Sequence, residues 1–354
     1  VQHYIEYKQF RFRITALEPL ILPTYKGSTF RGGFGYAFKR VVCAIRDKEC
    51  PDCILKEKCV YSYVFETPPP SDTKIMRKYK AAPHPFVIEP PPEKRRGFKP
   101  GDEINFGLTL IGRAIDYLPY FIYTFDELGR IGIGKGKAKY ELRNVTCDGK
   151  KIYDSETKTL KSFNSSSLLL PIPSFTKGGL GKITDEISPL TRGDQEGSLN
   201  NPSSETFHSY TPTLEKGGKG GFANRQLTLS FLTPTRILYD SHLTLDLEFH
   251  ILIRNLLRRL SLLYYFHCNG DSSDWDFKEI IERAKEVTIK EKKLRWYDWE
   301  RYSTRQDTRM KMGGFVGSIS FEGDVELFIQ PIKAGEVLHV GKGTAFGLGK
   351  YRIE

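Results

Sequence analysis

Four cysteines fall within one short stretch, Cys43-x6-Cys50-Pro-Asp-Cys53-x5-Cys59. Four thiolates, two of them in a Cys-Pro-Asp-Cys knuckle, suit a closed tetrahedral site for a soft metal, with no position left for a substrate. Zinc in a structural role is the expected occupant. An iron–sulfur cluster uses the same ligands, so spacing does not separate the two. The alternative is two disulfides or four unrelated thiols, against which stand the knuckle spacing and the reducing compartment inferred below. Cys147 and Cys268 read as ordinary partly buried thiols.

A second signal lies in glycine and lysine. The terminal stretch His339-Val-Gly-Lys-Gly-Thr-Ala-Phe-Gly-Leu-Gly-Lys-Tyr-Arg-Ile-Glu354 crowds four glycines around Lys342 and Lys350 before a strand-like ending. Loops of this kind let backbone approach a phosphate closely. A related stretch, Gly129-Arg-Ile-Gly-Ile-Gly-Lys-Gly-Lys-Ala-Lys-Tyr-Glu-Leu142, means that the chain carries the element twice. Two similar domains, each closing on a basic glycine loop, are therefore expected.

The elements that must position these groups follow from pattern. Arg11 to Pro19 reads as a strand ended by proline, and residues 28 to 45 as a helix with Phe30, Phe34, Ala37, Phe38, Val41, Val42 and Ile45 at helical spacing. Ile104, Phe106, Leu108 and Leu110 alternate as in a half-buried strand, and Tyr117 to Leu128 forms an aromatic helical segment. Strand, helix, strands, helix, strand is the ferredoxin-like order. The pattern restarts near Gln226, where Leu227-Thr-Leu-Ser-Phe-Leu-Thr-Pro mirrors Phe12-Arg-Ile-Thr-Ala-Leu-Glu-Pro. A long helix from about Asp246 to His267 follows, carrying Arg254, Arg258 and Arg259. The expected fold is thus α+β, a tandem of ferredoxin-like domains: residues 1–150 with the cysteine insert at 43–59, then 226–354. Between them, 151–225 is rich in Ser, Lys, Gly and Asn and reads as an interdomain region with mobile loops.

With 354 residues the chain can bury two ordinary cores, and its net charge of +11 directs it toward nucleic acid or an anionic membrane surface. No apolar run is long enough to span a bilayer and the first residues are polar, so a cytoplasmic protein without membrane partners is expected.

Several segments now converge. Lys26-Gly-Ser-Thr-Phe-Arg-Gly-Gly-Phe-Gly-Tyr-Ala-Phe-Lys39, the cysteine cluster with Tyr61-Ser-Tyr-Val-Phe-Glu66, Trp296-Tyr-Asp-Trp-Glu-Arg-Tyr-Ser-Thr-Arg-Gln306, Gly313-Gly-Phe-Val-Gly317 and the terminal glycine loop occur in order. Together they resemble a CRISPR-associated RAMP-superfamily endoribonuclease, and more narrowly the subgroup of repeat-processing ribonucleases with a four-cysteine insert. The resemblance implies paired ferredoxin-like (RRM-like) domains in the cytoplasm of a prokaryote, gripping the repeat of a precursor CRISPR RNA. It also implies cleavage without a catalytic metal, by attack of the ribose 2′-hydroxyl to leave a 2′,3′-cyclic phosphate and a 5′-hydroxyl. A rival reading is a non-catalytic RAMP subunit that holds crRNA among the subunits of a CRISPR effector complex. A zinc-dependent nuclease is a third, opposed by the closed four-thiolate set.

The chemistry needs a base, an acid and charge stabilisation at the phosphate. Tyr36 projects opposite the apolar stripe of the first helix, with Gly32 one turn before it and Lys39 and Arg40 one turn after. Relatives use a tyrosine or histidine on this helix, so the resemblance points to Tyr36 with Lys39. A tyrosine that only stacks on a neighbouring loop is the structural alternative. No histidine occurs between His3 and His84, a departure from relatives that carry a histidine base there. His339, beside the glycine loop, is the substitute candidate, against the alternative of a strand histidine satisfied by a carbonyl. Candidate RNA contacts are Arg31 and Arg40, then Lys342, Thr344 and Lys350 with their loop amides, and Arg301, Arg305 and Arg309 near Trp296, Trp299 and Tyr302. The two tryptophans themselves are expected in the core.

Overall fold

The computed structural model describes residues 3–46, 48–69, 73, 81–163, 168–172, 225–273, 275–303 and 308–354. The chain is built from two mixed α/β units with antiparallel sheets. In the first unit the order is β1 (His3–Ala16), β2 (Leu20–Ile21), α1 (Gly27–Val42), β3 (Phe86–Glu89), β4 (Gly97–Phe98), β5 (Glu103–Ile111), α2 (Leu118–Ile131) and β6 (Tyr140–Cys147). The main sheet runs β3-β5-β1-β6, so the first strand lies beside the third and the last. Leaving aside the two-residue β2 and β4, this is strand–helix–strand–strand–helix–strand.

The sheet does not stop there. β7 (Lys150–Asp154) and β8 (Thr159–Leu160) extend it beyond β6, and β9 (Leu168–Ile172) pairs with the start of β1, Tyr7 opposite Leu168. The opening of the segment expected between domains therefore belongs to the first sheet, where Ile152 is buried in its core. Residues 164–167 and 173–224, the rest of that segment, lie outside the described residues.

The second unit runs β10 (Arg225–Thr235), β11 (Leu238–Tyr239), β12 (His242–Leu243), α3 (Phe249–His267), α4 (Phe277–Ala284), β13 (Thr288–Tyr297), β14 (Glu300–Ser303), β15 (Thr308–Lys311), β16 (Gly314–Gly323), α5 (Ile329–Leu338) and β17 (Tyr351–Ile353). Its sheet order, β13-β16-β10-β17, repeats the arrangement of the first unit. The paired short strands β11 and β12 and the β14–β15 hairpin are additions to that frame. The short helix α4, capped by the Asp276 carboxylate on the Glu279 amide at 3.0 Å, was not evident from periodicity.

The first core is aromatic. Phe34 of α1 has ring neighbours Phe38, Phe121, Phe125 and Phe86 at centroid separations of 4.9 to 5.8 Å. α1 stops at Val42, earlier than its apolar pattern, because Cys43 is extended while its amide still bonds Lys39. Strand parity explains how the two units join. Phe10, Phe12 and Ile14 face the first core, whereas Ile5 and Tyr7 point to the opposite side and are buried with Ile111 among the apolar residues of the second unit. One strand thus contributes to both cores.

Replacing Phe34 by Ala should cost about 3–5 kcal/mol of folding stability, because the neighbouring rings cannot close a void of that size. Urea unfolding of the variant would measure it, and a loss below about 1 kcal/mol would contradict this packing.

Candidate nucleic-acid interface

On α1 the face opposite the phenylalanines carries Gly32, Tyr36 and Arg40 at intervals of one turn. Tyr36 is 58% exposed, and a side chain placed at Gly32 would meet nothing within 4 Å. Arg40 Nη1 lies 3.3 Å from the Tyr36 hydroxyl, as donor. Lys39 turns to the flank of the helix, its ammonium 5.8 Å from the Tyr61 ring centroid. A phenol and two cations along an open helix surface can bind a phosphodiester and offset charge that builds on it.

The glycine loop is placed differently from its expected role. His339 is fully buried, with Nδ1 3.0 Å from the Leu348 carbonyl and Nε2 3.6 Å from Glu89 Oε1. Burial pushes its pKa down, despite the opposing pull of Glu89. Lys350 donates to Glu89 Oε2 at 2.6 Å. Burial alone would raise the Glu89 pKa, but His339 and Lys350 override it and bring it to about 2. Thr344 is buried as well. Of the residues expected at this loop to touch RNA, only Lys342 is exposed without a carboxylate partner. His339 is therefore corrected from candidate base to loop anchor, because a group with no exposed surface cannot meet a 2′-hydroxyl. Thr344 and Lys350 are likewise held by the protein.

The loop docks on the first unit through close backbone contact. Tyr25 donates to the Phe346 carbonyl at 2.7 Å, and any side chain at Gly27 would overlap that same oxygen. Arg31 is sandwiched, its guanidinium 4.1 Å from the Phe65 centroid and 4.9 Å from that of Phe346, while Nη2 lies 2.9 Å from His84 Nε2. Arg31, a candidate RNA contact, thus braces the two units. At 1.5 Å rise per residue, Tyr36 lies roughly 13 Å along the helix from Gly27, where the Phe346 carbonyl is seated. Glu89, which ends the apolar run Phe86-Val-Ile-Glu89, was missed by sequence reasoning. Its signal was an acid closing a buried strand.

The remaining candidates divide. Arg301 and Arg309 lie on the paired strands β14 and β15, and Arg305 lies outside the described residues. Trp299 is buried against Tyr25, centroids 4.6 Å apart, in a small cluster with Met312 and Leu348. Trp296, expected in the core, is 37% exposed on β13, its indole N–H held by Asp298 at 2.8 Å. β13 is an edge strand, so its side chains lack a neighbour on one flank. The four cysteines of the insert are free and half-buried. Burial raises the Cys50 pKa, and after the opposing Lys39 the nearby groups that affect it include Cys43 and Cys59. Among the described residues no group of three or more His, Cys, Asp or Glu side chains is arranged to hold a metal ion. No helix among them is long and apolar enough to cross a membrane.

Comparison with known proteins adds the following. Residues 229–351 match the family model of the CRISPR-associated endoribonuclease Cas6, and residues 5–165 match a model described as an N-terminal domain. An uncharacterized protein of Archaeoglobus fulgidus is 29% identical over 149 residues, which cover 42% of this chain and 49% of that protein. The match thus spans about half the length of that curated relative. Among solved structures, a Cas6 product complex of Thermus thermophilus has a TM-score of 0.50 at 14% identity, covering 98% of this chain and 100% of the other. A partial Cas6-RT-Cas1–Cas2 complex has a TM-score of 0.51 at 11% identity, covering 99% of this chain and 46% of the other. These two share the fold with this chain over nearly its full length.

The junction should be sensitive to acid. Burial lowers the pKa of His267 to about 4 and that of His84 to about 3, against an ordinary value of 6.5, and His339 shifts the same way. The unfolded chain therefore takes up these protons first, and stability falls as pH drops below about 6.5. Glu89, shifted from 4.5 to about 2, adds a further loss as pH falls through that lower window. The urea midpoint should decline between about pH 7 and pH 4, and a midpoint that is flat over that range would contradict these burials.

Proposed function

We propose that this chain, which belongs to the CRISPR-associated Cas6 endoribonuclease family through its residues 229–351, cleaves CRISPR repeat RNA into mature crRNA without a catalytic metal. The family match carries the reading. The open, cationic face of α1 supports it, as does the fold shared with a Cas6 product complex. We take the two units as a tandem of ferredoxin-like domains, since each follows the same element order and the same strand neighbourhood. Residues 1–150 and 226–354 hold most of the pair, with the first sheet continuing through β9.

In the reaction, the 2′-oxygen attacks the adjacent phosphorus and the bond to the 5′-oxygen breaks, leaving a 2′,3′-cyclic phosphate and a 5′-hydroxyl. The 2′-hydroxyl loses one proton and the leaving 5′-oxygen gains one. His339 is buried and His84 is engaged by Arg31, so neither is assigned to these proton transfers. Tyr36 would orient the phosphate, and Arg40 and Lys39 would offset charge on it, so alignment and electrostatics carry the rate. Lys342, Arg301, Arg305 and Arg309 are proposed as further contacts to RNA. A non-catalytic subunit that binds crRNA in an effector complex is the second reading. It is favoured by one observation: α1 carries no histidine, while His339 is fully buried and His84 is engaged by Arg31.

We also propose that Cys43, Cys50, Cys53 and Cys59 hold a structural zinc. Four free thiols in one segment supply the soft-donor set such an ion takes, and the ion would only brace the insert. The cytoplasm is the compartment proposed for a chain keeping these thiols reduced.

Incubation with repeat RNA in excess chelator should yield a product ending in a cyclic phosphate. Tyr36→Phe should slow single-turnover cleavage by about a hundredfold. Purified protein should contain zinc that Cys50→Ser loses. A gel shift without product would establish the binding subunit instead, and cutting abolished by chelator would establish a metal-dependent nuclease.

A further inference from the structure

The glycine loop of the first unit is left open where the terminal one is closed against protein. Ile133 and Ala138 pair across it, and the Lys137 amide donates to the Gly134 carbonyl at 3.3 Å, so Lys135, Gly136 and Lys137 make the tip of a tight turn. A side chain placed at Gly136 would meet nothing within 4 Å. Residues 16–22 form a spine that this loop flanks on one side: the Leu17 amide donates to the Lys139 carbonyl at 3.0 Å and the Lys135 amide to the Ile21 carbonyl at 3.3 Å. On the other side β2 pairs with β4, the Leu22 amide donates to the Arg96 carbonyl at 2.8 Å, and the Gly101 amide to the Ala16 carbonyl at 2.8 Å. Two basic stretches far apart in sequence, residues 94–99 and 135–139, thereby flank one short spine.

Lys94, Arg96, Lys99, Lys135, Lys137 and Lys139 are all exposed, and among the described residues no carboxylate pairs with any of these six side chains. Arg95 stands apart, since it is paired with Asp102 at 2.6 Å and lies over the Phe98 ring. Two other acids are close in sequence. Glu18 accepts the Lys139 amide at 3.0 Å, and the carbonyl of Glu93 holds the buried Lys26 ammonium at 2.5 Å. The cations therefore outnumber the acids around the spine, and only a polyanion relieves their mutual repulsion. Neither basic stretch carries an exposed aromatic ring, because Phe98 is buried.

We infer that the surface formed by residues 94–99 and 135–139 is a second RNA-binding site, which holds the phosphodiester backbone of the substrate away from the cut without reading its bases. This rests on the proposed RNA-processing function. A lysine ammonium is a compact point charge that suits a phosphate, and with no exposed ring there is no platform on which a base could stack. An acidic protein is the other polyanion, but the centres of protein interfaces are depleted of lysine. The bond from Lys26, which precedes α1, to Glu93 places this surface beside the N-terminal end of the helix that carries Tyr36 and Arg40. The site contributes affinity and takes no part in bond cleavage.

The test compares intact wild-type protein with Lys135→Gln/Lys137→Gln/Lys139→Gln, with Lys94→Gln/Arg96→Gln, and with a control, Lys158→Gln/Lys278→Gln/Lys333→Gln, which removes exposed charge elsewhere. The probes are the repeat RNA and a scrambled RNA of the same length. The loop variant should bind the repeat about tenfold more weakly and reduce the salt slope by about two, and Lys94→Gln/Arg96→Gln should act in the same sense. Both should lose the same factor on the scrambled RNA, keep the wild-type melting temperature and cut saturating repeat RNA at the wild-type rate. Affinity no lower than that of the control would overturn the site and leave long-range attraction or an acidic protein in its place. A loss confined to the repeat RNA would overturn recognition of the backbone alone. Wild-type protein that bound RNA without cutting it would fail the proposed function, and the comparison with the control would still decide the site.

Discussion

A carboxylate taken out of water must find partners, and Glu89 finds the Lys350 ammonium and the His339 imidazole across the junction between the two units. Removing a carboxylate from water without partners costs several kcal/mol, so the glycine loop is stable in the register that delivers Lys350. The other junction contacts then follow from that register. Phe346 covers the Arg31 guanidinium, Tyr25 reaches the Phe346 carbonyl, and Trp299 and Leu348 pack beneath the loop. β1 reinforces the junction from the other side, since its first residues are buried in the core of the second unit. The junction therefore draws on charge pairing at the loop and on apolar burial at the strand.

That arrangement has a functional cost and a functional gain. His339 and Thr344 are buried and withdrawn from a substrate, while Lys350 and Arg31 are engaged within the protein. In return α1 is held rigidly by packing on one side and by the loop at its N-terminal end, so Tyr36 and Arg40 project from a fixed surface. A reaction that depends on in-line alignment of a ribose oxygen with a phosphate benefits more from such rigidity than from one additional cation.

Much of the frame was legible in the sequence. The apolar stripe Phe30, Phe34, Ala37, Phe38 predicted the buried face of α1, and the alternation from Ile104 to Leu110 predicted β5, because periodicity records which side of an element is buried. The repeated strand–proline signal at Phe12 and Leu227 predicted two similar units. Periodicity does not record what the buried face meets. The glycines near Lys342 and Lys350 read as an approach to phosphate, yet the close approach is to protein backbone. Gly349 adopts a positive φ of 76° and leaves no room for a side chain beside the Val340 carbonyl. Arg259 read like Arg254 and Arg258, but it is buried and donates to the Leu338 carbonyl at 2.8 Å, since its position on α3 faces α5. Trp296 failed in the opposite sense, because its strand is an edge. The role of Glu89 was illegible because both of its partners lie some 250 residues further along the chain.

The most direct measurement on this account is hydrogen exchange of the terminal glycine loop in Glu89→Ala against the unaltered chain. The Val340 amide, bonded to the Gly349 carbonyl, and the Gly349 amide, bonded to the Pro234 carbonyl, should exchange markedly faster in the variant, while amides of α2 stay protected. Unchanged protection throughout the loop would show that the Glu89 pairing does not hold the two units together, and the account would fail.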